Sequence, residues 1–342
     1  MIFKLVLGVD MSKDWFHYCL MNTSFEILIE GKIDNHPDAI FNFITELLKS
    51  GLISDLNEVR LCMEHTGIYI QHLVNCWLSK GGHLSVVHAT KVSEFLAGQT
   101  AWEEKTDELD ARRLAEYGFR YSDKLQIWQA EDQTIVQLRA WQRQRERINK
   151  ALNILEVPVN ESIGFDSAEI STSLQNNQEA SLNALKSDLK NIDKALQELI
   201  SSDPTLKQLF KLLKSVEGIG PVTARELIIA TCAFTKFTPN DPKKFARFAG
   251  IVPVKKRSGK TVRKKDRITK RNHKKLKELL TMCAQSLIGS KQELGLYYQR
   301  KKDEGKHHLT VINAMRNKII LRAFAVVRNQ VIYQKNLNVS LV

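Results

Sequence analysis

Four acids carry the residue types and spacing for metal-dependent chemistry on phosphodiesters. Asp10 closes the first β-rich run, Glu64 closes a later one, and Asp107 and Asp110 stand three apart in a helical pattern, which puts both on one helix face. A carboxylate at the end of a buried strand is costly unless compensated, and a hard divalent ion with oxygen ligands compensates it. Mg2+ held in this way activates a nucleophile and stabilises a leaving oxygen. Taken singly, Asp10 also reads as a turn residue, Glu64 as a cap, and Asp107 and Asp110 as a solvated face; the ordered set is far more specific. Ser258, in Lys255-Lys256-Arg257-Ser258-Gly259-Lys260, is a second candidate. A serine hydroxyl is a weak nucleophile without a base or a cationic setting, and here the cations are adjacent, with Gly259 allowing a phosphodiester close to the backbone. Chemistry alone favours the plainer reading, a loop residue in a phosphate-binding patch. Gly218-Ile219-Gly220, between two apolar helical runs, offers backbone N–H groups to a phosphate in the manner of a helix-hairpin-helix. A plain helix–helix turn explains it too.

The elements that must position these residues follow from periodicity. Phe3–Val9, Trp15–Met21 and Phe25–Ile33 alternate as strands at hairpin spacing. A helix follows His36-Pro37-Asp38, then a strand over Glu58–Met63, a helix over Ile68–Ser79, a strand over Leu84–His88 and a helix over Lys105–Tyr121. This describes a mixed sheet covered by helices. From Thr134 to Leu155, Ile135, Leu138, Trp141, Ile148, Leu152 and Leu155 recur at three-and-four spacing. Pro158 and Gly164 are expected to interrupt, a polar Ser/Asn/Gln stretch follows, and Leu182 to Leu199 repeat the seam. The two helices are expected to form an antiparallel coiled-coil hairpin. From Pro204 onward short helices dominate. The expected organisation is therefore residues 1–125, an α/β domain; 126–203, a helical hairpin; and 204–342, a mainly α domain.

Composition narrows the class. Hydrophobic residues at 43% and charged residues at 26% are globular values, which excludes wholesale disorder. The net charge of +13 suits a polyanion, nucleic acid before an anionic membrane surface. Lys243 to Lys277 alone carry +15, so the remainder is slightly acidic, and apolar residues such as Phe245, Phe248 and Ile251 interleave with this run as in a folded basic face. The candidate nucleic-acid contacts are Gly218, Gly220, Lys255, Lys256, Arg257, Gly259, Lys260, Arg263, Lys264, Lys265, Arg267, Lys270 and Arg271. Five scattered cysteines without a CxxC pair argue against a disulfide framework or a zinc ribbon, and with no secretory pattern the expectation is a cytoplasmic, nucleoid-associated protein with no membrane partner.

Leu7-Gly8-Val9-Asp10, Met63-Glu64-His65-Thr66-Gly67, Lys105 to Ala111, Gly218-Ile219-Gly220-Pro221, Phe248-Ala249-Gly250-Ile251 and Ser258-Gly259 together resemble the DEDD transposases of the insertion-sequence family one-hundred-and-ten, which includes the Piv invertases. The resemblance spans nearly the whole chain. It implies an α/β N-terminal RuvC-like domain of ribonuclease-H fold, a helical coiled-coil insertion and a mainly α C-terminal transposase domain. It makes Asp10, Glu64, Asp107 and Asp110 the Mg2+ ligands and Ser258 the residue that bonds to a DNA phosphate. It also implies donor and target DNA as partners, a structured bridge RNA that pairs with both, and homodimers or homotetramers in which one subunit's acids meet another's serine. Base pairing would then choose sequence while the basic surface grips backbone. Many relatives carry Ser-Ser-Gly at the nucleophile; here Arg257 precedes Ser258. The competing readings are a RuvC-like structure-specific nuclease using water, a non-catalytic nucleic-acid scaffold, and an actin- or sugar-kinase-type ATPase, which shares the Gly-x-Asp strand end but here lacks a second phosphate loop.

Overall fold

The computed structural model describes residues 3–96, 106–252, 257–258, 262–263 and 273–334. The chain divides into two compact units, Met1–Ala130 and Glu131–Val342.

In the first unit, alternation builds a sheet with two different faces. The strands are β1 (Leu5–Met11), β2 (Trp15–Asn22) and β3 (Ile27–Asp34), followed by α1 (Pro37–Lys49), β4 (Val59–Glu64), α2 (Gln71–Ser79), β5 (His83–Val87), α3 (Ala89–Leu96) and α4 (Asp107–Arg120). The sheet order is β3-β2-β1-β4-β5: β1 to β3 are antiparallel neighbours, whereas β4 and β5 run parallel to β1. That is the ribonuclease-H arrangement implied by the resemblance. Leu7, Val9, Phe16 and Leu61 point to one face and pack with Ile40, Ile44, Leu73 and Trp77 of α1 and α2. Val6, Cys19 and Cys62 point to the other, against Ala111, Leu114 and Ala115 of α4.

The second unit is almost entirely helical. It comprises α5 (Gln133–Ser162), α6 (Ala168–Ser202), α7 (Pro204–Lys214), α8 (Pro221–Thr231), α9 (Pro242–Phe248), the two-residue strands β6 (Arg257–Ser258) and β7 (Val262–Arg263), and α10 (Lys274–Ser286), α11 (Glu293–Asp303) and α12 (His308–Asn329). α5 and α6 lie antiparallel, with Arg145 on Asp193 at 2.8 Å and, towards the turn, Lys186 on Glu156 at 2.8 Å. At the base of this hairpin, Arg225 of α8, buried to 3% exposure, donates to Asp193 at 2.9 Å and to Gln142 at 3.1 Å.

Two expectations are corrected here. Pro158 does not interrupt α5, which continues to Ser162. A proline forfeits one intrahelical N–H bond and crowds the preceding turn, a cost of about 3 kcal/mol. A 30-residue helix packed along α6 carries that cost, and the chain turns instead at Gly164, whose φ is +90°. The second helix also begins well before the Leu182 seam: α6 starts at Ala168, capped by the Ser167 hydroxyl accepting from the Ile170 N–H, and takes in the polar stretch.

Candidate functional site

The register of two strands sets Asp10 beside Glu64, and one close helix contact brings α4, which starts with Asp107 and Asp110, onto the same face of the sheet. Val9 pairs with Met63 in the parallel β1–β4 ladder, so the next residues, Asp10 and Glu64, stand side by side on the α4 face. On its other side Asp10 pairs across the hairpin with His17. α4 can lie against β1 because of Gly8: a Cβ there would sit 2.1 Å from the Ala111 carbonyl oxygen and 2.3 Å from the Ala115 nitrogen. Gly118 does the same from the helix, where a Cβ would meet Val6 Cγ1 at 2.7 Å. The start of α4 is fixed by Thr106, whose hydroxyl accepts from the Leu109 N–H, and Asp107 and Asp110 occupy the first turn, where the helix dipole favours negative charge.

The result is crowded negative charge. Asp10 is pushed from an ordinary 3.8 to about 6, first by burial, then by the charges of Asp110, Asp107 and Glu64, with His17 acting the other way. Arg113, one turn along, pairs with Asp110 at 3.1 Å, and the His17 ring stands 3.8 Å from Asp107 and 3.9 Å from Glu108. Asn35 ties the loops behind the acids, its amide donating to the carbonyls of Ser12 and Lys13 at 3.2 Å and of Tyr69 at 2.9 Å. Among the described residues no three His, Cys, Asp or Glu side chains are already gathered as a ligating cage. Sequence reasoning missed His17, Arg113 and Asn35. Hairpin register would have found His17, and i,i+3 spacing Arg113; Asn35 carries no sequence signal.

In the second unit the Gly218–Gly220 connection joins α7 to α8. Gly218 has φ +84°, and a Cβ there would lie 2.9 Å from the Cys283 carbonyl oxygen; Gly220 precedes Pro221 at the start of α8 and has open space beside it. Ser258 pairs with Val262 and Arg257 with Arg263 in the β6–β7 ladder, a description of backbone alone. Lys255, Lys256, Gly259, Lys260, Lys264, Lys265, Arg267, Lys270 and Arg271 lie outside the described residues. The chain flanking this segment is fastened to the bundle: the His273 N–H donates to the Phe248 carbonyl at 3.1 Å, and Asn313 donates to that of Ile251 at 2.8 Å. Beneath it, the His273 ring stands 3.6 Å from Glu226, which burial and the charge of Glu146 raise to about 7 against the opposing Lys275, Arg139 and Arg143.

None of the helices in the described residues is long and apolar enough to cross a membrane. A DEDD transposase model of the IS110 type matches residues 7–155, and a model described as transposase of the IS116/IS110/IS902 family matches residues 210–299. The chain is similar to the pilin gene-inverting proteins of Moraxella bovis and Moraxella lacunata, 24% identical to each over 98% of this chain and 99% of theirs. Among solved structures, T. thermophilus RuvC in complex with a Holliday junction substrate matches 36% of this chain and 99% of its own at 10% identity, with a TM-score of 0.30, too low to bear on activity.

Proposed function

We propose, from the premise that this chain belongs to the IS110 family of DEDD transposases, that it is a DNA recombinase in which Asp10, Glu64, Asp107 and Asp110 hold Mg2+ and Ser258 is the nucleophile. The observation that carries this reading is the β1–β4 register, which sets Asp10 beside Glu64 at the carboxyl edge of the sheet with α4 packed closely over Gly8. The donor set fits a hard divalent ion: all four donors are carboxylate oxygens, and burial together with the neighbouring carboxylates disfavours the ionised form of Asp10 more than His17 favours it. The Asp107 side chain is 61% exposed, so packing does not lock its rotamer. When bound, Mg2+ supplies Lewis-acid activation of a phosphodiester.

The strands fix Asp10 and Glu64, and the capped helix fixes Asp107 and Asp110, so the metal ligands require no loop to order. Ser258 Oγ forms a bond to phosphorus as its proton passes to water; the bond from phosphorus to a DNA oxygen breaks, and that oxygen leaves as a hydroxyl after taking a proton. Attack by a second DNA hydroxyl reverses the step and frees the serine, so the bond energy is conserved and no ATP is needed. Gly218, Gly220 and the basic residues from Lys255 to Arg271 grip nucleic-acid backbone, while a bridge RNA pairs with donor and target DNA. The active assembly is a homodimer or homotetramer in which the acids of one subunit serve the serine of another.

The test is recombination of a donor circle into target DNA by purified protein with guide RNA and Mg2+. Ser258→Ala is expected to abolish recombination and protein-linked DNA on denaturing gels. Cleavage that persists in Ser258→Ala without a covalent adduct would make water the nucleophile and the protein a structure-specific nuclease.

A further inference from the structure

Arg316, on the buried side of α12, is 8% exposed and is not paired as a buried cation should be. Its Nε is enclosed without an acceptor, and among the described residues its hydrogen bonding is a long contact of 3.4 Å from Nη1 to Asn313 Oδ1. Among the described residues no carboxylate pairs with it. Two other arginines of the same unit, half-buried Arg322 and buried Arg225, show the usual arrangement. Arg322, further along the same helix, meets Glu293 at 2.7 Å and Glu217 at 3.5 Å, and Arg225 has Asp193 and Gln142. A guanidinium cannot escape burial by losing its proton, so leaving it without an anion is expensive in the free protein. Its free N–H groups retain the planar fork that engages a phosphate through two parallel hydrogen bonds.

Its position indicates which anion would pair with it. Asn313, which among the described residues is the side chain that Arg316 reaches by hydrogen bond, also holds the carbonyl of Ile251, four residues before Lys255 and seven before Ser258. We propose that Arg316 is an anion-binding residue whose missing partner is a phosphodiester of the nucleic-acid backbone, bound beside the start of the Ser258 segment. This rests on the reading of the chain as a recombinase and adds a contact that neither motif nor charge run marks. The free fold carries an unneutralised charge, and the bound polyanion neutralises it.

The experiment separates this from the serine chemistry by measuring binding alone. In EDTA and on a Ser258→Ala background, affinity for duplex DNA and, separately, for a structured RNA is followed against KCl concentration for Arg316, Arg316→Lys and Arg316→Met. Losing one phosphate contact is expected to make the salt dependence of log K against log[KCl] shallower by about 0.9 on duplex DNA or about 0.7 on single-stranded segments. Arg316→Met should show that change on one of the two polymers, which identifies the source of the phosphate, and Arg316→Lys should keep the wild-type slope. In urea, the free Arg316→Met protein should be at least as stable as wild type, because a buried charge without a partner is removed. A wild-type slope on both polymers overturns the proposal. Where Arg316→Met unfolds too readily to be titrated, Arg316→Gln, which retains a donor for Asn313, repeats the slope measurement, and a wild-type slope there is equally fatal.

Discussion

Removing the charge of Asp10 should stabilise the free protein while destroying its activity. Asp10 is raised from 3.8 to about 6 in the fold. Between those values the folded state binds more protons than the unfolded one, so stability falls as pH rises from about 4 to 6 and stays low above that. Each unit corresponds to about 1.4 kcal/mol, giving about 3 kcal/mol as a ceiling. Asp10 keeps some contact with solvent, and screening reduces this to about 1–2 kcal/mol. Asp10→Asn, measured by urea unfolding in EDTA, should therefore exceed wild type by about that amount at pH 8, with the advantage shrinking towards pH 4 as wild-type Asp10 takes up its proton. Mg2+ should reverse the order, since only the wild type gains binding energy, about 2.7 kcal/mol at a hundredfold excess over Kd. An Asp10→Asn protein no more stable than wild type at pH 8 in EDTA would refute the claim that these carboxylates crowd one another, whatever happens to DNA cleavage.

Three further outcomes are expected. Gly8→Ala should cost about 3 kcal/mol or more in urea unfolding and abolish strand cleavage, because the added Cβ meets backbone of α4 at 2.1 and 2.3 Å and the helix must move away from Asp10. Gly218→Ala should lower Tm, with φ +84° and the Cys283 carbonyl oxygen 2.9 Å from the new Cβ, whereas Gly220→Ala, with open space beside it, should unfold like wild type in the same scan. Glu226→Gln should flatten the pH dependence of stability between about pH 4.5 and 7, the window over which burial raises this carboxyl to about 7, and should leave the variant more stable than wild type at pH 8.

The sheet and its acids were readable because strands with one face against α1 and α2 and the other against α4 impose alternation, and because Thr106 and the acids after it mark a helix start chemically. Asp10 and Glu64 end apolar runs for the same reason that they stand together: parallel neighbours reach their carboxyl edge in step. Pro158 was misread because a local rule, a proline breaks a helix, is overridden by packing along α6, which no window of sequence contains. Asn35 and Arg316 were invisible for a related reason. One is defined by the three carbonyls that surround it, the other by the carboxylates that do not, and both are properties of space, not of spacing.

The buried contact of Arg225 with Asp193 and Gln142 has a mechanical consequence. From Gln142 to the end of α5 the hairpin projects about 30 Å at 1.5 Å per residue, ending near Phe165, which is 92% exposed. A stiff arm of that length, anchored at its root by these contacts and by Ile135, Leu138, Ile192 and Leu196 in the core of the unit, is a lever. A tilt of about 10° at its root sweeps the far end through about 5 Å, so slight repacking around α8 becomes a large displacement of whatever the tip touches.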